Sequence, residues 1–133
     1  MNKLLLIGTN TRSILISALK LDYSIYSTSY FSTSDMPHIK NQKIILKEEN
    51  GESCGIFKDG FNSQKLLDIS KDYIDEVDYI IPISGISPSQ FPKKIQKKIL
   101  GTVHVENIEN KYKFYKEIKE EFKTPETFLL NDV

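Results

Sequence analysis

The chain has 133 residues, of which 39% are hydrophobic and 27% charged, so its size and composition fit one globular domain and indicate neither disorder nor a membrane protein. Eighteen basic residues balance eighteen acidic ones, and a net charge of zero gives no reason to expect nucleic acid or an anionic membrane as a partner. Cys54 is the single cysteine, which excludes an internal disulfide, and with no secretory signal pattern behind Met1 we expect a cytoplasmic protein.

The first part of the chain predicts a strand, a tight loop and a helix. Residues 4–7 form a continuous apolar run that ends at Gly8, as in a strand covered on both faces of a parallel sheet. Residues 9–11 are of types that cap helices, and apolar side chains then recur at helical spacing over 14–19. A β-rich stretch over 24–28 predicts the second strand of a β-α-β unit.

The middle of the chain predicts a polar connection followed by two further strands. Residues 30–42 are polar and irregular and are interpreted as a surface connection. Residues 43–47 predict a strand, and residues 53–57 could return as the second arm of a hairpin. A helix is expected over 63–74, and residues 77–82 have the pattern of the next parallel strand.

The last part predicts two helices and two strands. A short helix over 91–99 places its four lysines mostly on the solvent side, and residues 101–105 are a candidate edge strand. An apolar stripe over 108–122 predicts an amphipathic helix that ends before a Thr-Pro pair. Residues 127–130 predict a further strand, and because an apolar strand at a chain end needs neighbours, we expect a longer protein. Together these elements predict an α/β fold: a small, Rossmann-like parallel sheet of about four or five strands with helices on both faces.

Two loops are candidate binding sites because open α/β sheets place ligands at the carboxyl ends of their strands. The loop at 8–12 lacks the glycine pattern of a dinucleotide site, which disfavours NAD or FAD, but Arg12 could hold a carboxylate or phosphate bidentately. In the alternative interpretation Arg12 is an ordinary surface residue. The loop at 84–87 offers small hydroxyl groups, a composition also common in plain turns. The candidate substrate-binding residues are Gly8, Asn10, Thr11, Arg12, Ser84 and Gly85.

The sequence shows no pattern of catalytic or metal-binding residues. His38 and His104 stand alone, without the spacing of metal ligands, and a surface or capping role is expected for each. A Ser-His-Asp triad or a nucleophile elbow is not visible, and nothing around Cys54 would activate its thiol. We therefore expect neither a catalytic residue nor a metal site in this chain.

Several motifs, in this order of elements, resemble one enzyme superfamily. The stretch over 3–12 is similar to the start of archaeal-type ATP-grasp proteins, and the loop at 84–87 lies where these proteins have a glycine-containing loop. An Asn-Lys pair at 110–111, a helix, and a Thr-Pro pair at 124–125 resemble the entry into the ATP-grasp domain. Over nearly its whole length the chain resembles the pre-ATP-grasp domain of carboxylate–amine ligases, the superfamily of biotin carboxylase and the large subunit of carbamoyl phosphate synthase.

This resemblance implies a division of the chain and a function. Residues 1–104 would form a pre-ATP-grasp domain, similar to the N-terminal domain of biotin carboxylase. Residues 105–133 would be the linking helix and first strand of an ATP-grasp domain that is otherwise absent. The complete protein would use ATP and Mg²⁺ to activate a small carboxylate substrate as an acyl phosphate, which an amine or thiol then attacks. Lys111 would contact an ATP phosphate oxygen. The other ATP-binding residues would lie in the remaining ATP-grasp domain, beyond Val133, so we expect the chain to be inactive by itself.

Two other interpretations stay open from the sequence. The chain could be a stand-alone Rossmann-like or flavodoxin-like module that senses a small anion at residues 8–12. It could also be a structural domain that forms a homodimer through its helices. Without the resemblance, Lys111 would be interpreted as a solvated lysine at the start of a helix.

Overall fold

The computed structural model describes residues 1–46 and 61–130, which belong to two compact units, Met1–Val103 and His104–Val133. The strands, all in the first unit, are β1 (Asn2–Gly8), β2 (Tyr23–Phe31), β3 (Gln42–Leu46) and β4 (Tyr79–Pro82). The helices of the first unit are α1 (Arg12–Ala18), α2 (Ser63–Ile69), α3 (Lys71–Glu76) and α4 (Lys93–Gln96). The second unit contains α5 (Glu106–Glu109) and α6 (Lys111–Ile118).

The four strands form one parallel sheet in the order β3-β2-β1-β4. Strand β1 lies between β2 and β4, and its Leu4 is in register with Ile25 on one side and Tyr79 on the other. The central position follows from the apolar run, because a strand covered on both faces has no side chain that must reach water. The parallel α/β sheet expected from the sequence is confirmed.

Both faces of the sheet are covered by helices. Leu5 and Ile7 belong to a cluster that includes buried side chains of α2, α3 and α4, whereas Leu4 and Leu6 pack with α1 through Leu15. Successive side chains of β1 therefore enter alternate cores, as the pleat of a strand requires. The fold is a small Rossmann-like one.

Strand β2 is longer than the sequence predicted, and polar residues form its buried centre. Its ends are Tyr23 and Phe31, rather than residues 24 and 28, and its Ser27, Thr28 and Ser29 are fully buried. The hydroxyls of Ser27 and Ser29 each lie 2.7 Å from the hydroxyl of Thr11, so burial leaves these two groups paired. The polar connection expected from residue 30 therefore begins after the strand.

The two helices predicted over 63–74 and 91–99 both differ in the structure: the first is divided into α2 and α3, and the second is reduced to α4. Ser70 separates α2 from α3, because its φ of −92° and ψ of 0° lie outside the helical region; its carbonyl then accepts the first hydrogen bond of α3, from the amide of Ile74 at 2.8 Å. In the second segment, Pro88 opens a 3₁₀ turn and Pro92 precedes α4, and neither proline can donate to a continuous helix.

The edge strand predicted over 101–105 is absent, and that prediction was wrong. The outer edge of β4 is instead paired with residues 98–100, which immediately precede the predicted strand. The amide of Ile80 donates to Lys98 at 2.8 Å, and the amide of Leu100 donates to the carbonyl of Ile80 at 2.9 Å. Gly101 then has a φ of 122°, a conformation that a regular strand does not have, and none of residues 101–105 is in a strand.

The second unit has no buried side chain among residues 104–130. Asn110 interrupts the helix predicted over 108–122: its side chain caps α6 by accepting from the amide of Lys113 at 3.1 Å. Residues 127–130 do not form the expected strand, since they have no strand neighbour within this unit. The hairpin arm expected over 53–57 lies outside the described residues.

The helices of the described residues are short. The longest, α6, has eight residues. In the part of the chain that the structure describes, no helix has the length and apolar character needed to cross a membrane.

Candidate functional site

The strand order reverses between β1 and β4. From β1 the chain passes through α1 to β2 on one side, whereas from β4 it passes through α4 to Ile99, which bridges Ile80 on the opposite edge of β4. In α/β sheets such a switch point leaves a crevice at the carboxyl ends of the two strands, where ligands bind. Residues 8–12, from the end of β1 to the start of α1, and residues 83–87, after β4, occupy these positions and include the two loops singled out from the sequence, 8–12 and 84–87.

These two loops are bonded to each other and form what we call the rim. The amide of Thr9 donates to the carbonyl of Ser84 at 2.8 Å, and the Thr9 hydroxyl donates to the same oxygen at 2.6 Å. The amide of Ile83 donates to Ile7 at 2.8 Å, which continues the pairing of the strands into the loops. The structure thus brings the predicted loop residues together at one end of the sheet.

The two glycines of the rim are explained by close packing between its loops. A Cβ atom on Gly8 would lie 2.9 Å from both the Cβ of Ile83 and the carbonyl oxygen of Ser84. Gly85 has a φ of 92°, and a Cβ there would lie 2.9 Å from Phe61 and from the methyl group of Thr9. Both glycines therefore allow neighbouring segments to meet.

Thr11 attaches the first loop to the sheet. Its side chain is fully buried, and its Oγ1 lies 2.7 Å from Ser27 Oγ and 2.7 Å from Ser29 Oγ. The amide of Thr11 also donates to Ser29 Oγ at 3.2 Å. Its hydroxyl, considered from the sequence as a ligand contact, is therefore occupied in holding the loop on β2.

Arg12 carries the positive charge of the rim and is paired with Asp35. Its backbone amide donates to Asn10 Oδ1 at 2.9 Å, and its Nη2 makes an ion pair with Asp35 Oδ2. The two side chains are 42% and 55% exposed. The guanidinium holds the pKa of Asp35 below its usual value, chiefly through this hydrogen bond. Arg12 Nε is buried and has no hydrogen-bond partner among the described residues.

Asp35, Tyr30 and Phe61 were not identified from the sequence. Asp35 and Tyr30 lie in the stretch interpreted as a connection, and Phe61 precedes α2. The rings of Tyr30 and Phe61 pack edge to face, with centroids 4.9 Å apart, beside Gly85. The available signal was the position of Asp35 just after a strand, because carboxyl ends of neighbouring parallel strands share one edge.

Lys111, the candidate ATP contact, lies in the second unit. It is exposed at the first position of α6, directly after the Asn110 cap. The Asn-Lys pair therefore has a local structural explanation as a helix start. A groove of about 340 Å³ in the same unit is lined by Tyr112, Tyr115, Lys116, Lys119, Thr124, Pro125, Glu126 and Thr127, and Lys111 is not part of this lining.

The described residues contain no cluster of three His, Cys, Asp or Glu side chains that could hold a metal ion. His38 and His104 are both exposed. Cys54 lies outside the described residues.

Comparison with known proteins finds a similar sequence. Over 134 aligned residues the chain is 33% identical to an uncharacterized protein of Methanocaldococcus jannaschii. The alignment covers 98% of this chain but 34% of the relative, so the chain spans about a third of that protein's length. No protein-family model matches the chain, and no solved structure matches it.

Proposed function

We propose that this chain is the N-terminal, substrate-side domain of an ATP-dependent carboxylate–amine ligase of the ATP-grasp type, with a small carboxylate bound at the rim. The observation that carries this proposal is the meeting of the loops after β1 and β4 at the switch point of a Rossmann-like sheet. Arg12 supplies a permanent positive charge there, as recognition of a carboxylate requires.

The length of the relative supports a role as one domain among several. Two thirds of the M. jannaschii protein lies outside its match to this chain, which is enough for the domains that would bind ATP. In the reaction we propose, a carboxylate oxygen attacks the γ-phosphorus of ATP, ADP leaves, and an amine or thiol then displaces phosphate from the acyl carbon. The part assigned to this chain is to bind and orient the carboxylate.

Lys111 is proposed as one of several ATP contacts, and its contribution alone is small. An exposed ammonium paired with one phosphate oxygen contributes about 0 to 1 kcal/mol, whereas micromolar affinity requires about 8 kcal/mol. We therefore expect the 133-residue chain to bind ATP with a dissociation constant in the millimolar range or weaker and to hydrolyse none. The complete gene product should bind ATP in the presence of magnesium.

Isothermal titration of ATP with magnesium into both proteins tests this proposal. In the complete gene product, Lys111→Ala should weaken ATP binding, and Lys113→Ala, which removes another exposed lysine of α6, is the matched control. Equal effects of the two substitutions would remove Lys111 from the site. Tight ATP binding by the short chain, or none by the complete gene product, would contradict the ligase proposal; the second result would favour a small-anion-binding module.

A further inference from the structure

We propose that Asp35 is an internal competitor for the substrate: its carboxylate pairs with Arg12, and a small carboxylate ligand binds by taking its place. This inference deepens the proposed function and rests on it for the assignment of a carboxylate substrate. It makes Asp35, which follows β2, a determinant of affinity at a site formed by the loops after β1 and β4.

In the ion pair, the Asp35 carboxylate contacts the guanidinium as a bound carboxylate ligand would, but through a single oxygen. Asp35 reaches Arg12 through Oδ2 and Nη2, while Arg12 Nε is buried without a hydrogen-bond partner among the described residues. A guanidinium offers parallel donors that match both oxygens of a carboxylate. A free ligand is not tethered to the loop after β2, so it can turn both of its oxygens toward the terminal nitrogens of the guanidinium.

The ion pair can be opened without disturbing the fold. Its side chains are 42% and 55% exposed, and exposed ion pairs contribute little to stability. The loop itself is held by other contacts, namely those of Thr11 with β2 and of Thr9 with Ser84. Asp35 can therefore leave Arg12 while the rim keeps its shape.

A purely structural role for the pair predicts a different result. If Asp35 served only to hold Arg12 in place, removing its charge would disorder the guanidinium and weaken any anion binding. If Asp35 competes with the ligand, removing its charge raises the fraction of molecules whose Arg12 is free and so raises the apparent affinity. The sign of the effect of Asp35→Asn separates these roles.

The experiment is a titration of the 133-residue chain with sodium acetate, in which sodium chloride keeps the ionic strength constant and amide chemical shifts are followed by NMR. We expect saturable shifts at residues 9–12 in the wild-type protein. Asp35→Asn should bind acetate up to about fivefold more tightly, the range set by an exposed ion pair. Arg12→Gln should abolish the response, and Arg12→Lys, which keeps the charge but not the planar fork, should weaken it.

Asp72→Asn is the matched control, because Asp72 is an exposed aspartate that pairs with Lys43 rather than with a residue of the rim. It makes the same change in net charge and should leave the response at residues 9–12 unchanged. An acetate affinity in Asp35→Asn that is no higher than in the wild type overturns the proposal. So does a response that survives Arg12→Gln.

A parallel titration with inorganic phosphate identifies the chemistry of the ligand. If Asp35→Asn raises the affinity for acetate as much as or more than the affinity for phosphate, the ligand is a carboxylate. If the substitution raises the affinity for phosphate alone, that assignment is overturned. Failure here leaves the ligase proposal standing, since ATP binding by the complete gene product does not depend on Asp35. Conversely, a complete gene product that binds no ATP would leave the carboxylate site at Arg12 intact.

Discussion

Gly85 and Gly101 both have positive φ angles, of 92° and 122°, but their surroundings differ. A Cβ on Gly85 would meet Phe61 and Thr9 at 2.9 Å, whereas a Cβ on Gly101 would meet nothing within 4 Å. We expect Gly101→Ala to cost about 1–2 kcal/mol from backbone strain alone. Gly85→Ala should cost a further 1–3 kcal/mol, roughly, because the rim must move to admit the methyl group. Urea unfolding of the two variants measures the difference, and equal losses would contradict the packing assigned to Gly85.

The hydroxyls of Thr11 and Thr28 are both buried, yet removing them should change the free energy of unfolding differently. Thr11→Val keeps the shape and deletes the contacts with Ser27 and Ser29, which should cost about 1–3 kcal/mol. Thr28 Oγ1 has no hydrogen-bond partner among the described residues, so Thr28→Val should leave stability unchanged or raise it by about 1 kcal/mol. Chemical denaturation compares the pair. A larger loss for Thr28→Val than for Thr11→Val would show that the hydroxyl contacts are assigned wrongly.

At the scale of elements, α3 is tied to the sheet through Glu76. The ammonium of Lys3 in β1 donates to Glu76 Oε1 at 2.6 Å, and the Tyr26 hydroxyl in β2 donates to the same oxygen at 2.9 Å. Both donors favour the ionised carboxylate, and Lys3 is the larger cause of a Glu76 pKa below its ordinary value. Glu76 is thus a charged anchor between a helix and two strands.

This anchor makes a prediction about pH. Because the pKa of Glu76 is lowered in the folded state, its contribution to the free energy of unfolding is fully present above the ordinary glutamate pKa of about 4.3 and is lost as pH falls through the lowered value. The wild-type protein should therefore be more stable than Glu76→Gln at neutral pH, and the difference should vanish in acid. Asp75→Asn, which removes another exposed carboxylate of the same helix, is the control for the change in net charge. Denaturant-induced unfolding at several pH values measures the free energy of unfolding of each variant.

The sequence predicted the elements best where a side-chain pattern is compatible with one kind of element. The apolar run over 4–7 specified a strand covered on both faces, and β1 is that strand. The far end of β2 was missed because Ser29, just beyond the predicted strand, looks like a loop residue until Thr11 is placed beside it. The edge strand at 101–105 failed for the opposite reason. Its residues suit a strand, but residues 98–100 already occupy the edge of β4.

The sequence predicted where the site lies in the fold but not which side chains meet there. Strand order alone brings the loops after β1 and β4 to one rim, which the positions of Gly8 and Ser84 had suggested. Neither the pairing of Arg12 with Asp35 nor the packing of Phe61 on Gly85 can be read from spacing, because both depend on side chains that are distant in sequence. The role of Lys111 stays a prediction.

At the scale of the molecule, the first unit should fold without the second. Every residue of the two hydrophobic core clusters lies before residue 100. A protein of residues 1–103 should therefore keep the urea midpoint of the whole chain. An isolated peptide of residues 104–133 should show little helical circular dichroism, because helices of four and eight residues are too short to be stable alone. A clear loss of cooperativity in the shorter protein would contradict this division.

The parallel pairing of β1 with β4 also sets an order of events during folding. Thr9 and Ser84 meet across 75 positions of sequence, so this contact closes a long loop, whereas β1, α1 and β2 form from one continuous stretch near the amino terminus. Closing a long loop has a high entropic cost and slows the step that requires it. On the ribosome, the rim can assemble once β4 and the loop after it have left the exit tunnel. A chain arrested earlier in synthesis would carry Arg12 but lack the loop that completes the rim.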